Sequence, residues 1–336
     1  MIHYKKIIEK FQIPPEAEDI VEKVLEPLEC ELLSGWEGGD SFTLDELVDF
    51  LAAAQLLTDS ETAESFVQRC FVRGVLDKAE GGRYRFGTFY GRLDIFATSE
   101  SEAYRMLPQT KRQELDDWYF QRYLERLGSD SGVNPTADEV LPLDEVLSFI
   151  ENKEEQPYLA LCDCRMLTGE CNSPTLTCIT YRTADNSFVS RGHARPVTKE
   201  EAKQVVIEAD RAGLMHTVNP GGVCNCCSDC CYLFRAAKAR ESLGSWPLPH
   251  YRIALDDEAC IGCGVCVKRC HFEVIALNQA VNSDESAERS NAKRRQSIAE
   301  IVRPKLCVGC GICMTGCPSG ALRLVPRNER EIGGSA

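Results

Sequence analysis

Cys260-Ile-Gly-Cys263-Gly-Val-Cys266-Val-Lys-Arg-Cys270 and Cys307-Val-Gly-Cys310-Gly-Ile-Cys313-Met-Thr-Gly-Cys317-Pro318 are two copies of one spacing, C-x2-C-x2-C-x3-C. Two-residue gaps let three thiolates from a single turn wrap one face of a cubane iron–sulfur cluster. The glycines between them let the backbone approach the inorganic sulfides, where amide N–H groups donate to them. The fourth cysteine of each run lies too far along a helix to close on its own cluster, so it is expected to ligate the other one. One [4Fe–4S] cluster is therefore expected on Cys260, Cys263, Cys266 and Cys317, and a second on Cys307, Cys310, Cys313 and Cys270. A zinc ribbon needs four cysteines and would leave the other half unexplained.

This stretch resembles the bacterial-type 2[4Fe–4S] ferredoxin domain, which implies a ferredoxin-like (βαβ)2 dicluster fold over residues 250–330. The flanks agree with it. Tyr251 to Leu255 and Ala321 to Val325 read as paired strands, and Val274 to Leu277 with Ile301 and Val302 supply the rest. Two features depart from the pattern. His271 stands where the first run would usually have proline, and a polar insert from Asn278 to Ser297 stretches the connection between the runs.

Outward from this region, composition bounds the rest. The chain has 336 residues, 19 of them cysteine, and a net charge of −14. No apolar run reaches the ~18 residues of a membrane span. The N-terminus has no signal-peptide core, so the reading is of a cytoplasmic protein. In a reducing compartment so many thiols argue for metal rather than disulfides. The acidic balance disfavours an anionic polymer as partner.

Nine more cysteines fall in residues 156–249, a Cys-rich α/β domain. Tyr158-Leu-Ala-Leu-Cys162-Asp-Cys164 starts as a strand, and i, i+2 spacing would put both thiols on one face. Gly213 to Val218 reads as another strand, turning at Gly221 and Gly222 into Cys224-Asn-Cys226. Two C-x-C arms held side by side would offer four thiolates, and Cys171, Cys178, Cys227, Cys230 and Cys231 could bind a second centre. Between the arms, Thr198 and Glu201 form a capping box for a helix striped by Ala202, Val205, Val206 and Ala209. One or two further [4Fe–4S] clusters fit this cysteine-only set, with structural zinc as the alternative and some buried, unligated thiols as the plainest reading. The pattern CDCR followed by CNCCSDCC resembles a group of multi-cluster ferredoxin-like proteins from anaerobes.

Residues 1–105 carry no metal signature. A helix after Thr43, a second from Asp59 to Leu76 and a hairpin from Asp77 to Phe86 resemble a winged helix-turn-helix. That resemblance implies DNA binding, yet the region holds 11 Lys+Arg against 21 Asp+Glu. Neutralising phosphates needs a positive face, and only Arg83, Arg85 and Arg92 near the wing offer one, so protein docking is the expected use. Cys70 is expected in its core, and Cys30 as an incidental or buried thiol. Residues 106–155 form a helical connector: an aromatic amphipathic helix over 111–127, a linker from Gly128 to Pro135, and a short helix near Leu143 to Ile150. The chain as a whole is read as an α+β multidomain protein.

The functional expectation is a multi-cluster electron carrier, or a subunit feeding or draining a partner oxidoreductase in anaerobic metabolism. No dinucleotide or P-loop motif occurs, so substrate chemistry is expected on the redox partner. The alternatives are an iron–sulfur sensor that regulates transcription through the winged helix, and an oxidoreductase with a catalytic upstream centre. His193 and His216 lie near the thiols in sequence, and Arg191 and Arg195 flank His193, an arrangement open to an anion. A lone histidine is more often a structural hydrogen-bonder. Lys293 to Arg295 in the insert could dock an acidic partner, though such runs are more often solvated loops.

Overall fold

Gly81 and Gly82 both take positive φ (69° and 71°), which turns the chain between strands Leu76–Ala79 and Arg83–Phe86. The strands pair antiparallel with Leu76 opposite Phe86, and Phe42 bridges Tyr84 at the hairpin's edge. Two helices precede the hairpin. Thr43 and Glu46 cap Leu44–Ala53 reciprocally, and the Thr62 hydroxyl caps Ala63–Val72. Their inward residues Leu47, Leu51, Phe66, Val67, Cys70 and Phe71 are buried, as is Cys30. The aromatic helix spans Gln109–Leu127, and Tyr119 stacks on Tyr90 at 4.1 Å.

This computed structural model describes residues 3–56, 62–128, 135–169, 171–279 and 297–327. The insert with Lys293 to Arg295, most of the linker after Gly128 and the expected helix start at Asp59 lie outside the described residues.

The chain gathers into two units. The first comprises Met1–Arg126, Ala160–Gly169 and Arg182–Arg195; the second comprises Leu127–Leu159, Glu170–Tyr181 and Pro196–Ala336. In the first, the stretch Arg182–Arg195 is tied to the hairpin by polar groups. The Asn186 amide pairs with both backbone groups of Lys78, at 2.8 and 2.9 Å, as a neighbouring strand would. Buried Arg191 donates to the carbonyls of Phe71 and Leu76 and pairs with Asp77.

In the second unit, strands Leu176–Thr180, Gly222–Cys226, Met215–Asn219, Glu139–Leu141 and Leu248–Pro249 lie side by side in that order. Neighbours are antiparallel except the last pair, which is parallel. Helices Leu143–Asn152 and Lys199–Arg211 cover the sheet, burying Val146, Ile150 and Val206 with Ile179, Val218 and Val223. Following the sheet, Tyr251–Leu255 pairs antiparallel with Leu322–Pro326, and Ile275–Gln279 with Ser297–Ile301. Short helices Val265–Arg269 and Ile312–Thr315 lie between these strands in chain order, giving the ferredoxin-like β-α-β-β-α-β succession.

Candidate metal centres

The two C-terminal runs are loops pressed against the strand pairs. Gly262 and Gly309 both adopt left-handed φ (68° and 70°). A Cβ on Gly262 would stand 2.0 Å from the Ser297 carbonyl oxygen, and one on Gly309 would stand 2.3 Å from that of Tyr251. Only glycine satisfies both the dihedral and the approach. Each loop then opens onto a cavity. One is lined by Cys307, Cys310, Cys313 and Cys270; the other is lined by Cys260, Cys263, Cys266 and Cys317. Each thus collects three thiols from one run and the last thiol of the other.

The walls are apolar: Ile253, Val274 and Leu324 around the first cavity, Leu255, Ala299 and Leu322 around the second. Burial pushes the Cys310 thiol up to about 12 and raises Cys313 and Cys266 as well. Thiolates are costly there unless cationic metal stands beside them. Backbone N–H groups are already aimed at sulfur, from Val274 to Cys270 at 3.3 Å and from Ala299 to Cys260 at 3.5 Å. Four thiols, an apolar wall and inward N–H groups fit an iron–sulfur cluster in each cavity.

Residues 259–321 match the family described as 4Fe-4S dicluster domain. A Sinorhizobium fredii protein named "Putative ferredoxin-3" is 32% identical over 85 residues, covering 25% of this chain and 80% of that protein. The chain belongs to the ferredoxin family. A ferredoxin domain carries iron–sulfur clusters and implies electron transfer with a redox partner. No solved structure matches the chain. Among the described residues, no helix of this ferredoxin is long and apolar enough to cross a membrane.

The nine thiols between Cys162 and Cys231 fall in both units. The strand Tyr158–Leu161 stops before Cys162, which precedes helix Asp163–Thr168, and Cys164 lies inside that helix. The expected strand alternation therefore does not operate. Asp163 is the first residue of that helix, where its carboxylate accepts from the Cys164 N–H and is favoured by the helix dipole. The two sulfurs and a carboxylate oxygen of Asp163 still lie within 4.8 Å of one another. In the second unit, Cys224 and Cys226 do alternate on a strand, with Cys226 opposite Met215 and Cys224 opposite Thr217. Cys226 is hydrogen-bonded to Cys224 and Cys231. The sulfurs of Cys171, Cys227 and Cys230 converge within 4.8 Å. Cys178 is half-buried on strand Leu176–Thr180.

The histidines are structural here. His193 donates through Nε2 to the Val72 carbonyl (2.7 Å) and meets the Ser99 hydroxyl at Nδ1 (2.8 Å). Burial lowers its basicity. The Arg191 beside it is engaged by carbonyls and Asp77, so it offers no anion site. His216 is fully buried and donates through Nδ1 to Asn225 Oδ1 at 2.6 Å. The sequence reading overlooked a polar seam in the second unit. Arg269 donates to the carbonyls of Asp210 and Ile312 at 2.7 and 2.6 Å, and His271 donates to that of Gly213 at 2.8 Å while its Nδ1 faces Ser228 Oγ at 3.2 Å. Histidine in place of proline at 271 was the one visible signal.

Proposed function

We propose that this ferredoxin is a cytoplasmic one-electron carrier with two [4Fe–4S] clusters, feeding or draining a partner oxidoreductase of anaerobic metabolism. One cluster is assigned to Cys260, Cys263, Cys266 and Cys317, the other to Cys307, Cys310, Cys313 and Cys270. The observation that carries this reading is the sharing of fourth cysteines between the two cavities. Bound clusters supply reversible one-electron redox chemistry. The chain's own residues do the rest. Thiolates hold iron, N–H groups of Val274 and Ala299 stabilise sulfur charge, and apolar walls exclude water. Exposed Cys263, with Ile261 57% exposed beside it, gives electrons a surface exit on one side.

We assign the nine middle thiols to further metal, within a Cys-rich domain at 156–249. Residues 1–105 are assigned as a winged-helix-like docking domain and 106–155 as its connector. The order of two helices, hairpin and edge bridge supports that assignment, and the excess of carboxylates favours protein over DNA. Substrate chemistry is left to the partner.

The test is anaerobic purification with iron and acid-labile sulfide counted per chain, then repeated on Cys263→Ala. The variant is expected to lose about four iron and four sulfide. Unchanged iron content would defeat the assignment.

A further inference from the structure

Sulfur spacing distinguishes a single ion from a cluster. A tetrahedral ion bonded to each thiolate at about 2.3 Å holds its sulfurs about 3.8 Å apart. In a cubane each thiolate binds a different iron, and the sulfurs are spread to roughly 6 Å. Among the described residues, no three of the eight C-terminal thiols approach one another within 4.8 Å, whereas Cys171, Cys227 and Cys230 do. Cys171 Sγ and Cys227 Sγ are 3.8 Å apart. That is too close for a cubane and far beyond a disulfide bond.

The local backbone has the matching form. Cys227-Ser228-Asp229-Cys230 is a C-x2-C turn in which the Cys230 N–H donates to Cys227 Sγ at 3.3 Å. Such a turn places both sulfurs on one side and partly neutralises the first. Ala209 and Leu214 pack against the thiols, and Cys227 and Cys230 are 2% and 0% exposed. Two buried thiols among apolar side chains, with half-buried Cys171 beside them, are soft donors that suit a thiophilic ion.

We propose that Cys171, Cys227 and Cys230 bind a single zinc ion, a site separate from the two clusters. Binding replaces the S–H protons, which leave to solvent, and the fourth position of the tetrahedron takes water or one more protein donor. Zinc has no redox chemistry, so this centre is a staple rather than an electron relay. It joins residue 171 to the turn that follows strand Gly222–Cys226. Ser228 in that turn faces His271, the neighbour of Cys270.

The test uses the full-length protein, purified anaerobically from zinc-supplemented medium. Zinc, iron and sulfide are counted for wild type, Cys227→Ser and Cys230→Ser. Each variant is expected to lose one zinc per chain while iron and sulfide stay unchanged. Loss of about four iron with sulfide would replace zinc by a cubane and overturn the proposal. Loss of one iron without sulfide would overturn it in favour of mononuclear iron. Should neither variant fold, zinc-edge X-ray absorption on wild type decides. Three or four sulfurs at about 2.3 Å support the site; absence of zinc, or zinc with only nitrogen and oxygen ligands, refutes it. The iron count of the C-terminal clusters is read independently, so failure here leaves the electron-carrier reading intact.

Discussion

Gly309 shows how a single residue sets a metal loop. Its φ of 70° and the Tyr251 carbonyl oxygen 2.3 Å from where a Cβ would stand leave no route for a side chain except displacement of backbone. Gly309→Ala is expected to pull Cys310 out of line and to remove about four of the C-terminal irons, with the cluster of Cys260, Cys263, Cys266 and Cys317 retained. Iron and sulfide analysis reads this directly; full occupancy would show that the loop has slack. His193 makes a different kind of statement. Burial lowers its affinity for a proton, with the charges of Arg191 and Arg92 acting in the same direction. The unfolded chain therefore takes up that proton first. The stability of the first unit is complete above the ordinary histidine value of about 6.5 and declines as pH drops below it. Unfolding followed by Trp36 and Trp118 fluorescence at pH 7.5 and 5.5 should show a smaller loss for His193→Gln than for wild type. The glycine was legible from spacing alone. The anchoring of His193 and Arg191 was not, because their partners Val72 and Asp77 are more than a hundred positions away in the chain.

At the scale of elements, helix Lys199–Arg211 was readable in its bounds, with Ala212 and Gly213 (φ 88°) ending it, but not in what covers its last carbonyls. Thr198 and Glu201 exchange hydrogen bonds of 3.1 and 2.7 Å with each other's backbone N–H, as the S/T-x-x-E spacing predicts. Thr198→Ala should cost about 1 kcal/mol in denaturant unfolding, and Thr198→Ser should restore most of it. The last carbonyls are covered by Arg269, whose guanidinium reaches those of Asp210 and Arg211 from 59 and 58 positions further along the chain. No local pattern announces a cap of that kind. The same limit explains Cys162 and Cys164. The apolar run Tyr158–Leu161 correctly signals a strand, but the Asp163 side chain accepts from the next N–H and begins a helix one residue sooner than alternation requires. The ferredoxin strands were the easiest part, because their β-branched and apolar residues flank a fixed cysteine spacing.

For the whole molecule, charge governs which partners approach and from where. The chain carries −14 before any cluster is added, and residues 1–105 alone hold ten more acidic than basic side chains. Near the metal loops the balance is set locally. Asp256, Asp257 and Glu258 are exposed immediately before Cys260, and Cys263, three residues on, is the one exposed thiol. On the proposed assignment of a cluster beside Cys263, a cationic oxidant is drawn to that side and an anionic oxidant is repelled from it. With the clusters reduced anaerobically, a cationic one-electron oxidant should react faster than an anionic one of equal driving force at low salt. The advantage should shrink toward nothing by about 0.5 M NaCl, where the Debye length falls to a few ångströms. Reversing the local charge with Asp257→Lys and Glu258→Lys should weaken the preference while leaving cluster content unchanged. A preference that ignores both salt and these substitutions would place the electron exit away from Cys263.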